Sequence, residues 1–203
     1  MAQLKTQQFS TVILLRHGQP QGGQVFRGAT DDVLTEQGWK QMANAVSGLT
    51  DIELIMTSPL RRCCEFAVKL ADQRALPLLQ LEALKEIDFG QWEGKSAQQI
   101  ESESSAELHR FWQNPIENTP PAGEPLLEFQ QRVIDCWHEL IMGNRGKNCL
   151  IISHGGVQKV ILSEVLKMPV QAMHNIEVPY ACSSMIHVYY SATEYLTTLK
   201  SHG

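Results

Sequence analysis

Two histidines and a pair of arginines stand where short apolar runs end. Arg16-His17-Gly18 follows Thr11-Val12-Ile13-Leu14-Leu15, and Ser153-His154-Gly155-Gly156 follows Cys149-Leu150-Ile151-Ile152. Between them, Ser58-Pro59-Leu60-Arg61-Arg62 follows Leu54-Ile55-Met56-Thr57. Each run has the length and apolar content of a buried parallel strand. Ligands of open α/β sheets bind at the carboxyl ends of the strands. Side by side, these three strands would bring His17, His154, Arg16 and an arginine of the Arg61-Arg62 pair together. Arginine presents a planar fork of donors that suits phosphate oxygens. Glycines beside the histidines admit close backbone approach, and the first turn of each following helix offers free N–H groups to an anion. A neutral imidazole in such a site is a nucleophile. Nearby arginines disfavour the imidazolium, so the lone pair stays available near neutral pH. The chemistry expected is that of an anion site suited to phosphate with a nucleophilic imidazole in it.

Departure of an alcohol also needs a proton donor. A carboxylic acid near phosphate oxygens is expected to have a raised pKa and to donate. Leu84-Lys85-Glu86-Ile87-Asp88-Phe89-Gly90 and Gln91-Trp92-Glu93-Gly94 supply Glu86, Asp88 and Glu93, and residue chemistry alone leaves all three open.

The elements that must position these groups follow from periodicity. Trp39, Met42, Ala43, Val46 and Leu49 recur at helical spacing behind Thr35, an N-cap residue. Ser58 at an N-cap with Pro59 at the first helical position predicts a helix with Leu60, Cys63, Ala67, Leu70 and Ala71 inward. Pro77 to Leu81 predicts a strand, 84–94 a loop with short structure, and 102–112 a helix. Pro115, Pro120, Pro121, Pro125 and Gly123 make 114–125 a loop. Leu126, Val133, Ile134, Trp137, Leu140 and Ile141 mark a long amphipathic helix. Val157, Val160, Ile161, Val165 and Leu166 mark another behind His154, and Ser184 to Tyr190 with Tyr195 to Leu199 suit a terminal hairpin. Alternating strands and helices predict an α/β fold, a three-layer αβα sandwich on a mostly parallel sheet with helices on both faces. Without a repeat or linker, residues 1–203 are expected to form a single domain, with a cap insertion around 86–125 over one end of the sheet.

Composition narrows the partners. Lys plus Arg total 17 against 22 Asp plus Glu, a net charge of −5, so a cationic site must be local. No nucleic acid and no membrane surface is expected as a partner. At 43% hydrophobic and 19% charged residues the chain is too apolar to be disordered. Cys63, Cys64, Cys136, Cys149 and Cys182 are odd in number and lack C-x-x-C spacing, which argues against a disulfide framework. Met1 to Ser10 is polar and lacks a signal-peptide core, and no segment is long enough to span a bilayer. The expected setting is the cytoplasm.

Taken together, the motifs resemble those of the histidine phosphatase superfamily, which includes cofactor-dependent phosphoglycerate mutase. Leu14-Leu15-Arg16-His17-Gly18, Leu34-Thr35-x-x-Gly38, Ser58-x-Leu60-x-Arg62, Leu84-x-Glu86-x-x-x-Gly90 and Ser153-His154-Gly155-Gly156 fall in the family order across nearly the whole chain. The resemblance implies a phosphoglycerate mutase-like fold and transient phosphorylation of His17. It implies that Arg16, Arg62 and His154 hold the phosphoryl group and that Glu86 is the proton donor and acceptor. Arg62, not Arg61, occupies the motif's functional position. Arg27 and Gly155 are candidate substrate contacts, although Arg27 taken alone suits a surface loop. No metal or other cofactor is implied.

Within the superfamily the chain looks most like α-ribazole phosphatases of cobalamin biosynthesis. Arg27-Gly28-Ala29-Thr30-Asp31-Asp32-Val33-Leu34-Thr35, Phe111-Trp112-Gln113-Asn114-Pro115 and Pro120-Pro121-Ala122-Gly123-Glu124 carry that likeness. It implies a small-molecule phosphate ester as substrate, α-ribazole 5′-phosphate or adenosylcobalamin 5′-phosphate. A broad-specificity phosphatase and a mutase would share the same core. A noncatalytic phosphate-binding regulator would have lost the nucleophile or the acid, and both are present. Gln19-Pro20 stands where many relatives have Glu-Thr, and Gly23 where many have asparagine. The loop from Pro20 to Gln24 is therefore expected to differ on the substrate side.

Competing chemistries fail on inspection. Gly90-Gln91-Trp92-Glu93-Gly94-Lys95-Ser96 falls one residue short of a P-loop and lacks a strongly apolar strand before it. There is no G-x-S-x-G elbow and no D-x-D. No HxxxH or Cys/His ligand spacing supports metal at His17 and His154. Asp88 and Glu93 are expected to hydrogen-bond within their loop, Trp92 to pack beneath it, and Arg61 to be solvated. His109, His138, His174, His187 and His202 are expected to be structural or exposed, and Cys63-Cys64 to belong to the core.

Overall fold

The computed structural model describes residues 9–203. Met1 to Gln8, most of the polar segment expected to lack a signal-peptide core, lies outside the described residues. Strand β1 (Phe9–Arg16) pairs in parallel with β4 (Cys149–Ser153), β4 with β2 (Leu54–Thr57), and β2 with β3 (Leu78–Gln80). On its other side β1 pairs antiparallel with β5 (Ser183–Tyr190), and β5 with β6 (Tyr195–His202). The order β3-β2-β4-β1-β5-β6 sets the three motif-bearing strands side by side. Register aligns their carboxyl ends, with Arg16 opposite Ser153 and Thr57 opposite Ile152.

Strand alternation divides the apolar residues between two cores. Val12, Leu14, Leu54, Met56, Cys149 and Ile151 face α4 (Leu126–Gly143) and α5 (Gly155–Val165). Ile13, Leu15, Ile55, Leu150 and Ile152 face α1 (Glu36–Val46) and α2 (Arg61–Arg74). Burial on both faces is why these strands are continuous apolar runs rather than alternating ones. The result is the expected three-layer sandwich with a mostly parallel sheet. A smaller cluster of Trp92, Ile100, Leu108 and Phe111, with Phe26 and Phe89 against it, ties together the segment above the strand ends.

Several element boundaries differ from expectation, three of them at helix ends. Helix α2 starts at Arg61 with Leu60 as N-cap, not at Pro59 behind Ser58. The Ser58 hydroxyl accepts from the Leu60 N–H at 3.3 Å and from His154 Nε2 at 2.7 Å, while Asp31 Oδ1 accepts from the Arg61 N–H at 2.7 Å, so a distant loop caps the first turn. Helix α3 (Ala97–Gln113) starts before residue 102 because Ser96 and Gln99 form a reciprocal capping box. It breaks at Ser104 (φ −155°, ψ 61°). Helix α5 ends at Val165, leaving Leu166 exposed.

The turn after β1 depends on close backbone contact. Thr35 caps α1 by accepting from the Gly38 N–H at 3.0 Å. A Cβ at Gly38 would overlap the Gln19 backbone, and one at Gly18 would overlap Gly38. Helix propensity favours Gly38→Ala by about 1 kcal/mol, whereas overpacking costs about 1–3 kcal/mol. Gly38→Ala is expected to lower the urea midpoint. Gly143→Ala, where a Cβ meets open space, is expected to leave it unchanged or raise it. Stabilisation by both substitutions would show that the close approach is not a constraint.

Candidate active site

His17 leaves β1 as a buried residue. Its Nδ1 lies 2.8 Å from the Gly18 carbonyl, which can only accept, so Nδ1 carries the proton. Burial, then Arg62 and Arg16, hold the imidazole pKa well below its ordinary value, against a smaller opposite effect of the Gly18 bond. The ring is therefore neutral, with the lone pair on Nε2.

Arg16 points the same way. Its Nη1 donates to the Val178 carbonyl at 2.5 Å, and the guanidinium lies 4.3 Å over the Tyr180 ring. Its Nε is buried and has no hydrogen-bond partner among the described residues. A Cβ at Gly155 would come within 3.4 Å of that nitrogen. An unused cationic donor thus sits beside the N-terminus of α5, where backbone N–H groups also favour an anion.

Arg62 is wholly buried. It donates from Nη1 to the Thr30 carbonyl, from Nη2 to the Gly28 carbonyl at 2.7 Å and from Nε to His154 Nδ1 at 3.2 Å. Arginine only donates, so His154 Nδ1 accepts, and Nε2 carries the proton that it gives Ser58 Oγ at 2.7 Å. Burial, then Arg62, lower the His154 pKa well below its ordinary value. The two imidazole centroids are 5.2 Å apart.

The three candidate acids have different surroundings. Glu86 Oε2 accepts from the Gly156 N–H at 2.9 Å, and Oε1 from its own neighbour Ile87 at 3.1 Å. A Cβ at Gly156 would collide with this carboxylate, which explains the second glycine. Asp88 Oδ1 accepts from the Gly90 N–H at 2.8 Å. Glu93 accepts from the N–H groups of Gly28, Ala29, Thr30 and Phe89 and from the Thr30 hydroxyl. Asp88 and Glu93 are thus spent within loops, and Glu86 alone of the three meets the N-terminus of α5. Arg132 pins the Glu86 loop by donating to the Ala83, Lys85 and Glu86 carbonyls while pairing with Glu124 at 2.6 Å.

Arg16, His17, Glu86 and Gly155 line one cavity of about 1030 Å³, whereas Arg62 and His154 lie beneath its floor. Arg27 corrects the surface-loop expectation. Its side chain is only 6% exposed, pairs with Asp32 at 2.7 Å and donates to the Gln21 and Gly23 carbonyls, bracing the loop that it also exposes to the cavity. Arg61 is exposed and pairs with Glu65, and Trp92 is buried. Lys159, Tyr180, Arg132 and the Ser58–His154 bond carry no short motif that marks them. Lys159 had one usable signal: it lies one turn beyond Gly155-Gly156 on a helix whose other marked positions are apolar. All five cysteines are unpaired, and among the described residues no helix is long and apolar enough to cross a membrane.

The two neutral histidines make stability depend on pH. Unfolded imidazoles protonate near pH 6.5, while His17 and His154 in the fold resist protonation to well below that value. Below about pH 6.5 the unfolded chain binds more protons, so stability falls with falling pH, by at most about 1.4 kcal/mol per pH unit for each histidine. Thermal unfolding from pH 7.5 to 5 is expected to show this decline, with a shallower slope in His17→Gln. An unchanged slope would mean that His17 is charged in the fold.

Comparison with known proteins agrees with this geometry. Residues 12–199 match the family model of the histidine phosphatase superfamily (branch 1). A bifunctional protein of Mycobacterium tuberculosis is 32% identical over 183 residues, covering 88% of this chain, and the chain spans about half (50%) of that relative's length. The adenosylcobalamin/α-ribazole phosphatase of Escherichia coli is 29% identical over 180 residues, covering 86% of this chain and 88% of its own. The solved structure of the α-ribazole phosphatase from Shigella flexneri superposes with a TM-score of 0.80 at 26% identity, covering 95% of each chain. A match over nearly the full length, together with two histidines and two arginines gathered at adjacent strand ends, makes this chain a member of the histidine phosphatase superfamily, branch 1.

Proposed function

We propose that the protein is a phosphomonoesterase working through a phosphohistidine at His17, with α-ribazole 5′-phosphate or adenosylcobalamin 5′-phosphate as substrate. The observation that carries the reading is a neutral His17 with Nε2 unprotonated beside the buried Arg62 and half-buried Arg16 guanidinium groups. Nε2 attacks phosphorus while the bond to the ester oxygen breaks, and that oxygen takes the proton of the Glu86 carboxylic acid. Arg16, Arg62, His154 and the N-terminus of α5 stabilise charge on the transferring group, which is the main task in such reactions. Water then attacks phosphorus as Glu86 carboxylate takes its proton, the P–N bond breaks, and neutral His17 and phosphate result. Residues 86–125 act as the cap that carries Glu86 and encloses the leaving group. The substrate assignment is supported by the E. coli relative and by the cavity. At about 1030 Å³ the cavity matches the upper end of the roughly 300–1,000 Å³ typical of drug-sized ligands.

Phosphate release without added metal tests the reading. α-Ribazole 5′-phosphate is expected to be a better substrate than 3-phosphoglycerate, and His17→Ala is expected to abolish turnover and the acid-labile phosphoenzyme. Glu86→Gln is expected to slow the alkyl ester about 10²- to 10⁴-fold. It should affect the first step with p-nitrophenyl phosphate much less, because that leaving group needs no proton. Full activity in His17→Ala would sink the covalent mechanism. Faster turnover of 3-phosphoglycerate would remove the ribazole assignment.

A further inference from the structure

Above His17 the cavity has an aromatic wall made by Phe26, Phe89, Phe111 and Trp112. Trp112 differs from the rest of this cluster. Phe111 is 8% exposed, but Trp112, next to it in the last turn of α3, is 58% exposed. The helix is already anchored by buried Ile100, Leu108 and Phe111, so Trp112 is not needed to seat it. The indole is nevertheless held in place. Its centroid lies 5.2 Å from Phe111 at 62° and 6.0 Å from Phe26 at 41°. Phe26 is in turn steadied edge-on by Phe89 at 5.1 Å and 77°. A large aromatic surface is therefore fixed in orientation and left open toward the cavity.

Charge on the cavity wall is distributed unevenly. Lys159 and Glu177 come from α5 and the segment before β5. Arg27, beside Phe26, is committed to Asp32 and two carbonyls. Among the described residues, the aromatic wall thus has no free cation for a second phosphate or carboxylate. What it offers is the face of a ring, which stacks on planar groups regardless of their hydrogen-bonding pattern.

We propose that Trp112, backed by Phe26 and Phe111, is a stacking platform for an uncharged planar ring in the leaving group, and so sets specificity among phosphate esters. The inference rests on the phosphomonoesterase reading, because the ester that places phosphorus at His17 directs its alcohol portion into this cavity. It selects esters of sugars or similar linkers bearing a flat heterocycle over small, highly charged or purely aliphatic ones.

The test compares α-ribazole 5′-phosphate, whose base is a planar benzimidazole, with ribose 5-phosphate, which lacks the ring. In wild type the first is expected to be preferred. Trp112→Ala is expected to lower kcat/KM for α-ribazole 5′-phosphate about 10- to 100-fold, mainly through KM, with less than about a twofold change for ribose 5-phosphate. Trp112→Phe, which keeps a ring, is expected to restore much of the loss. Calorimetric binding of the product nucleoside α-ribazole to wild type and Trp112→Ala gives a readout that needs no turnover. An equal loss for both esters, no loss for either, or nucleoside binding that is absent or indifferent to Trp112 would overturn the platform. If neither ester is hydrolysed by wild type but the nucleoside binds in a Trp112-dependent way, the phosphatase reading fails and the platform stands.

Discussion

A guanidinium wholly removed from water needs each of its nitrogens paired by the fold, because a buried unpaired charge costs several kcal/mol. Arg62 meets that constraint from three places: the Gly28 carbonyl, the Thr30 carbonyl and the His154 ring. Two of these lie in a loop that Glu93 holds from its other side through consecutive N–H groups. That same loop supplies Asp31, which caps the helix carrying Arg62. The loop, the segment carrying Glu93, α2 and β4 are thereby locked to one another around a single cation. Few rearrangements of any one of them would leave that charge paired.

The same cation controls proton positions. With Arg62 donating to Nδ1, His154 is restricted to the tautomer that donates to Ser58. Arg62 and Arg16 add to burial in keeping His17 neutral. A basic floor thus coexists with uncharged imidazoles in a chain of net charge −5, and the positive potential is concentrated at one end of the sheet. Arg132 braces the Glu86 loop through three carbonyls. Glu86 is thereby held on the first turn of α5. Arg132 and Arg27 brace the loops around the cavity through backbone carbonyls and partner carboxylates.

The strand positions were legible because burial on both sheet faces leaves an apolar signature that needs no partner to be recognised. The convergence of His17, His154 and Arg62 followed once β2, β4 and β1 were adjacent, an arrangement that sequence order makes plausible and hydrogen bonding decides. Helix starts were less legible. Ser58-Pro59 has the local features of an N-terminus, but the serine is shared with a buried imidazole and a distant aspartate caps the Arg61 N–H. Arg27 looked like a surface residue because its partner Asp32 and the carbonyls of Gln21 and Gly23 converge on it only when the loop closes.

Residue types and short spacings by themselves determined the family, the sandwich and the polar groups that gather at the strand ends. These depend on contacts within one turn or one strand, whose patterns survive in a linear text. The choice of Glu86 over Asp88 and Glu93 was open on residue chemistry and depended on the family motif. Only the tertiary structure decided which of the three meets α5, which nitrogen of each histidine carries the proton, and that Trp112 stays open while Phe111 is covered. Each of these depends on a partner tens of residues away, or on the shape of a cavity that exists only after the chain has closed around it.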